Sequence, residues 1–281
     1  MVASVQHVDV PDNCDRIAIC GGPYSNFAAV NAFLKTTADL SHRFCLGDLG
    51  GFGPQPNRTL KLLRDSGVIC LQGNYDHAVG YGLRDCGCGY SDPRDQSFAQ
   101  LSYDYTYAHT AENHRQWLRQ LPQLIVLQWR NCRILLCHGS PNIVNEFVWE
   151  TETQDAQIQD FLTHHRVDGI CATHTGLPWI RNLSGGFWFN VGVLGRPAHE
   201  GLPHVYYGHI HFPKSAALPS PELVPLAYDV EAVTKAMRSE GLPQEFIDSL
   251  EQGVWTTCAE ILPAAEKVVR TRVMNAVPVV S

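Results

Sequence analysis

The stretch VICLQGNYDHAV, residues 68–79, decides how this chain is read. A short apolar run ends at Gly73, and Asn74-Tyr75-Asp76 follows at once. That is the signature of a buried strand giving way to a polar loop. The same device recurs along the chain. RFCL runs into Gly47-Asp48, RILLC into His138-Gly139-Ser140, and GICA into Thr173-His174. In α/β proteins the C-terminal edges of strands are where loops converge on a ligand. One Asp, one Asn and two His are oxygen and imidazole donors suited to Mn, Fe or Zn. Any one of them alone reads more readily as a turn residue or a hydrogen-bonded core histidine. Four in succession, all at strand ends, point to a site.

Helical patterns separate these runs. RIAIC (16–20) precedes a helical stretch near 26–40, and NRTLKLLRD (57–65) lies between RFCLG and VICLQG. Residues 91–120 read as helical, with Trp117 and Leu118 on an apolar face and Pro122 beyond the end. A second set of strands follows in LIVLQWR, CRILLCHG, GICAT, GFWFNVG and HVYYGHIHF, with helices expected over 153–165, 229–240 and 243–251. The short apolar runs suit strands buried on both faces. Residues 1–281 are therefore expected to form one α/β domain of two packed sheets, with a C-terminal helical segment from about residue 229.

Composition bounds the function. The chain is 44% hydrophobic and 17% charged, as an ordinary globular protein is. Its net charge of −7 excludes the basic face that a general nucleic-acid or anionic-membrane binder needs. No apolar run approaches the roughly 18 residues of a membrane span. The N-terminal MVASVQHVDVPDNCDR lacks the apolar region of a signal peptide, so a cytoplasmic location is expected. Of the ten cysteines, Cys20, Cys45, Cys70, Cys137 and Cys171 stand at the ends of strand-like runs and read as buried free thiols. Cys86-Gly87-Cys88 lacks the second Cys or His pair of a zinc site and reads as a Gly-rich turn with reduced thiols.

In order, the chain carries GGPYSNFAAV (21–30), GDLGGFGPQPN (47–57), GNYDHAV (73–79), CHGSPNIVNEF (137–147) and THTGLP (173–178). Asn190-Val191-Gly192 and the C-terminal AYDVEAVTKAMRSEGLP extend the match over nearly the whole length. This series resembles the calcineurin-like metallophosphoesterases, which string together D-x-H, G-D, G-N-H-[DE], H-G-S-P and G-H-x-H. It is most similar to their small bacterial phosphodiesterase and diadenosine tetraphosphatase-like branch. The resemblance implies a four-layer α/β/β/α sandwich of two mixed sheets with flanking helices. It also implies metal-dependent hydrolysis of a small phosphate mono- or diester.

The departures from the family pattern fall together. Gly22 and Tyr24 stand where D-x-H has its Asp and His, and Gly176 stands on the second His of G-H-x-H. By resemblance, those three residues ligate one metal of a pair. Asp48 matches the bridging carboxylate, and Asn74, His138 and His174 match the ligands of the other metal. The expectation is one divalent ion, Mn, Fe or Zn. Both glycines fall in turns at strand ends, so restoring Asp and His there is expected to recreate a second site. Tyr75 replaces the family's catalytic histidine; with Asp76 holding it, it would either protonate the leaving oxygen or merely pack in the pocket. The alternative is a catalytically inactive homologue that binds a metal or phosphorylated ligand as a sensor or partner module. Gly208-His209-Ile210-His211 mimics G-H-x-H but follows Asn190-Val191-Gly192, so it reads as ordinary strand. The expected partner is a small phosphorylated substrate or ligand, without nucleic acid or membrane.

Overall fold

Alternation along single strands builds the layers. In RIAIC, Ile17 and Ile19 face one apolar cluster while Ala18 and Cys20 face another. Residues 134–136 and 187–189 divide the same way, with Leu135 and Trp188 turned from the centre. Strands that are apolar on both faces must be covered on both faces. The computed structural model describes residues 4–215 and 218–268, and residues 269–281 of the expected domain lie outside the described residues.

In chain order the strands are β1 (Val5–Asp9), β2 (Arg16–Cys20), β3 (Arg43–Cys45), β4 (Ile69–Cys70), β5 (Leu124–Trp129) and β6 (Cys132–Leu136). They continue as β7 (Gly169–Ala172), β8 (Pro178–Leu183), β9 (Gly186–Val191), β10 (Val205–His211) and β11 (Ser220–Leu226). The helices are α1 (Phe27–Thr36), α2 (Pro56–Asp65), α3 (Asn74–Tyr81), α4 (Pro93–Ala108), α5 (Glu112–Gln120), α6 (Asp155–His165), α7 (Val230–Ser239) and α8 (Gln244–Gln252). One sheet runs β1-β5-β6-β7-β9-β8 and the other β11-β10-β2-β3-β4. Both are mixed. The central core lies between them, with Ile17, Ile19, Phe44 and Leu71 from one sheet meeting Leu127, Ile134, Phe187 and Phe189 from the other. Helices α1 to α5 cover the outer face of the five-stranded sheet, and α6 covers that of the six-stranded sheet. This is the α/β/β/α sandwich.

Several boundaries differ from the sequence reading. HVYYGHIHF does not join the second strand set; β10 pairs with β2 and β11 in the five-stranded sheet. β1, β8 and β11 were not legible as strands. All three are edge strands, which need less apolar patterning, and β11 carries Pro221 and Pro225, tolerated only at an edge. The helical stretch 91–120 is two helices. Asp92 caps the first through the Arg94 and Asp95 N–H groups, and the Ala111 N–H that begins the second is held by Asn57 Oδ1 at 2.9 Å. The five strand-end cysteines are buried and free, as expected, but Cys86 and Cys88 form a disulfide rather than a reduced pair.

The GHIH stretch has a packing explanation. His209 Nδ1 meets the Ile17 carbonyl at 3.0 Å, and His211 pairs with Glu222 on the neighbouring edge strand. A Cβ at Gly208 would overlap the Phe189 ring, which crosses from the facing sheet. Gly208→Ala should therefore cost about 1–3 kcal/mol through overpacking. Chemical denaturation checks this; unchanged stability would mean that the two sheets pack more loosely than this contact requires.

Candidate metal centre

Asp48 and Asn74 follow β3 and β4 of one sheet, and His138 and His174 follow β6 and β7 of the other. Each pair of strands is adjacent and parallel, so the four residues leave the sheets at the same end. The two halves meet across the top of the central core. Within the second half the link is backbone, because the Thr173 and His174 N–H groups both donate to the His138 carbonyl, at 2.9 and 3.0 Å.

The first half is tied by a buried carboxylate. Asp76, in the first turn of α3, accepts the N–H groups of Asp48 (2.7 Å), Leu49 (2.9 Å) and Gly73 (2.9 Å). Asp48 Oδ1 in return accepts the Tyr75 N–H at 3.0 Å. Asp48 sits at φ +56°, and Gly73 is required because a Cβ there would collide with the Asp48 carboxylate. Burial and the neighbouring Asp48 charge push the Asp76 carboxyl up to about 7, against the Gly73 and Leu49 N–H groups that favour its ionised form.

Asp48, His138 and His174 present donor atoms that all lie within 4.8 Å of one another. His138 Nε2 is 3.3 Å from Asp48 Oδ2 and 3.1 Å from His174 Nδ1. His138 Nδ1 donates to the Leu46 carbonyl at 2.7 Å, a backbone contact that leaves Nε2 as the free lone pair of a neutral ring. A carboxylate oxygen and two imidazole nitrogens thus converge on one space, an arrangement that a proton or a divalent cation between them would stabilise. Burial alone would raise the Asp48 carboxyl, but the His138 and His174 rings and the Tyr75 N–H hold it below the usual range. Burial likewise opposes charge on His138, yet facing Asp48 raises it. Burial and the His138 charge push His174 down to about 3, against Asp48 and the Cys88 carbonyl.

One further atom, Asn74 Oδ1, points to a missing partner; His174 Nε2 lies on the other edge of a ring whose Nδ1 faces His138. Asn74 Oδ1 and His174 Nε2 are buried without a partner at hydrogen-bonding geometry. The Asn74 amide nitrogen is satisfied by the Cys86 carbonyl at 2.8 Å and Cys88 Sγ at 3.4 Å, so its oxygen is the free end. Buried polar atoms are rarely left so. The donor set of one carboxylate, two imidazoles and one amide oxygen fits a single borderline or hard divalent metal.

The other expected residues take different positions. The Tyr75 hydroxyl is 2.8 Å from Ser102 Oγ and its ring packs on Tyr103. Burial raises its phenol well above the ordinary range. Asp76 is engaged with backbone and not with the Tyr75 hydroxyl. The Gly22, Tyr24 and Gly176 side is filled. A Cβ on Gly22 would lie 2.5 Å from Val193 Cγ1, and one on Gly176 would lie 3.2 Å from the Trp255 ring. Both glycines have positive φ, +38° and +75°, so crowding and backbone strain count against the expectation that Asp and His restored there would recreate a second site. Sequence reasoning missed what covers the site: Phe147 stacks beside His174, and Trp255, Ile261 and Arg196 come from distant segments. No local pattern marks such residues.

The comparisons with known proteins identify the family and the fold. The calcineurin-like phosphoesterase family matches residues 15–213, and the chain belongs to that family. An uncharacterized protein of Methanocaldococcus jannaschii is 23% identical over 248 residues, 81% of this chain and 94% of its own. A metallophosphoesterase from Sphaerobacter thermophilus superposes with a TM-score of 0.65 at 22% identity, covering 86% of this chain and 100% of its own. A hypothetical protein from Pyrococcus horikoshii OT3 gives 0.69 at 18% identity, covering 85% and 98%. No helix among the described residues is long and apolar enough to cross a membrane.

Two outcomes follow from this geometry. His138 in the metal-free protein keeps its proton to a pH above the ordinary imidazole value of 6.5, and a ligating ring must release it. Divalent-metal affinity should therefore keep rising with pH beyond 6.5 and level off only above the raised His138 value. Competition with a chelator at fixed ionic strength measures this; a flat profile from about pH 6 to about pH 8 would count against His138 as a ligand. Second, the triple variant Gly22→Asp, Tyr24→His, Gly176→His should remain at about one metal per chain, because Val193 and Trp255 occupy the space. A rise to about two by elemental analysis would show that those side chains yield.

Proposed function

We propose that this protein is a metal-dependent hydrolase of a small phosphate mono- or diester, working from a single divalent ion held by Asp48, Asn74, His138 and His174. The observation that supports this most directly is the convergence of donor atoms from Asp48, His138 and His174 beside the unpartnered buried Asn74 Oδ1. When bound, a divalent metal supplies Lewis acidity toward a phosphoryl oxygen and toward water. The protein's part is to hold those donors in place. Asp76 fixes the two turns that carry Asp48 and Asn74, and the Leu46 carbonyl fixes the ring of His138. The phenol of Tyr75, buried and tied to Ser102, is a poor proton donor at neutral pH and is assigned to positioning.

The filled second half favours one other reading, a homologue that binds metal or a phosphorylated ligand without turnover. Tyr24, Val193 and Trp255 occupy positions from which a second metal would be held, and a two-metal clamp on attacking and leaving oxygens is then absent.

One experiment separates the two. Metal content and phosphoesterase activity are measured together, across Mn, Fe and Zn, for the wild type, His138→Ala, His211→Ala and Tyr75→Phe. About one ion per chain is expected in the wild type and in His211→Ala, and none in His138→Ala. Turnover that tracks metal content supports the hydrolase. A loaded but inactive wild type supports the binding module. Tyr75→Phe should slow alkyl and p-nitrophenyl esters alike; a selective loss on alkyl esters would restore Tyr75 as the general acid.

A further inference from the structure

Arg196 follows β9 and is only 6% exposed. Its guanidinium stacks on the Trp255 ring, 3.9 Å from the centroid, and faces Phe52 at 5.7 Å. It donates to the Thr257 carbonyl. Among the described residues no carboxylate forms an ion pair with it. Asp95, a buried carboxyl that acts on it from a distance, holds the Glu260 N–H through Oδ2 and leaves Oδ1 without a hydrogen-bond partner. A guanidinium carries five N–H donors, and burying donors that no acceptor meets is penalised. Packing alone does not explain an arginine here, because a methionine would fill the same apolar slot without that penalty.

The surroundings say what the charge faces. Arg196 lines a small enclosed cavity of about 10 Å³ together with Tyr24, Tyr90, His174, Gly176 and Trp255. His174 carries the unpartnered buried Nε2. Tyr24 and Gly176 are two of the three positions from which the second set of metal ligands is missing. The cationic side chain thus lies beside the half of the site that has no ligands for a cation.

We propose that Arg196 binds the phosphoryl group of the ligand, supplying there the positive charge that a second metal supplies in two-metal sites. This rests on the reading of the metal centre given above. Guanidinium matches phosphate oxygens in a two-pronged geometry and needs no ligand set of its own. Tyr24 and Tyr90 line the same cavity. The cavity as it stands admits about one water-sized occupant, so phosphate binding requires the residues that line it to move apart.

Calorimetric titration of inorganic phosphate into the metal-loaded wild type, Arg196→Gln and Arg196→Lys tests this. Arg196→Gln should weaken phosphate binding at least about tenfold with metal content unchanged, and Arg196→Lys should recover part of the loss. Equal phosphate affinity in wild type and a folded Arg196→Gln overturns the proposal. If Arg196→Gln does not fold, the assigned Nε–H resonance of Arg196 in the wild type decides. It should shift on phosphate addition, and no shift overturns the proposal. A wild type that takes up no metal would sink the metal centre, while the same comparison on metal-free protein still reads Arg196 alone.

Discussion

The Asp76 carboxylate is the constraint on which the site depends. It is buried and accepts three backbone N–H groups from two turns that end different strands. Without it, Asp48 and Leu49 would present buried N–H groups with no partner, each costing about 1–3 kcal/mol. The turns would then separate, and Asp48 would lose its position relative to His138. The arrangement is reciprocal, since Asp48 accepts from Tyr75 in the turn that Asp76 closes. A carboxylate in this place is therefore structural, although it stands within a motif associated with chemistry.

The same logic accounts for the filled space beside Gly22 and Gly176. Metal ligands are acidic or imidazole groups whose burial is tolerable only around a cation. Once a cation is not held, the space is better filled by neutral and apolar atoms, and Tyr24, Val193 and Trp255 do that. The surviving half shows the opposite balance. Its donors converge within 4.8 Å of one another, and Asn74 Oδ1 beside them is buried without a hydrogen-bond partner.

Covering the site takes residues from remote parts of the chain. The loop joined by Cys86 and Cys88 meets Asn74, Phe147 lies on His174, and Trp255 closes over Gly176. These contacts exclude water from the donors and strengthen their mutual electrostatics.

The sequence by itself determined the strand-end pattern, and with it the fold family and the positions of Asp48, Asn74, His138 and His174. Local chemistry suffices there, because a buried strand must be apolar and the turn after it must be polar. It did not determine that β10 belongs to the five-stranded sheet, since pairing partners are chosen by packing across the sheets. Nor did it reveal that Asp76 serves backbone rather than Tyr75, or that Trp255 and Arg196 lie against Gly176 and His174. Those contacts join residues far apart in the chain, and only the tertiary structure decides which distant side chain fills a given space.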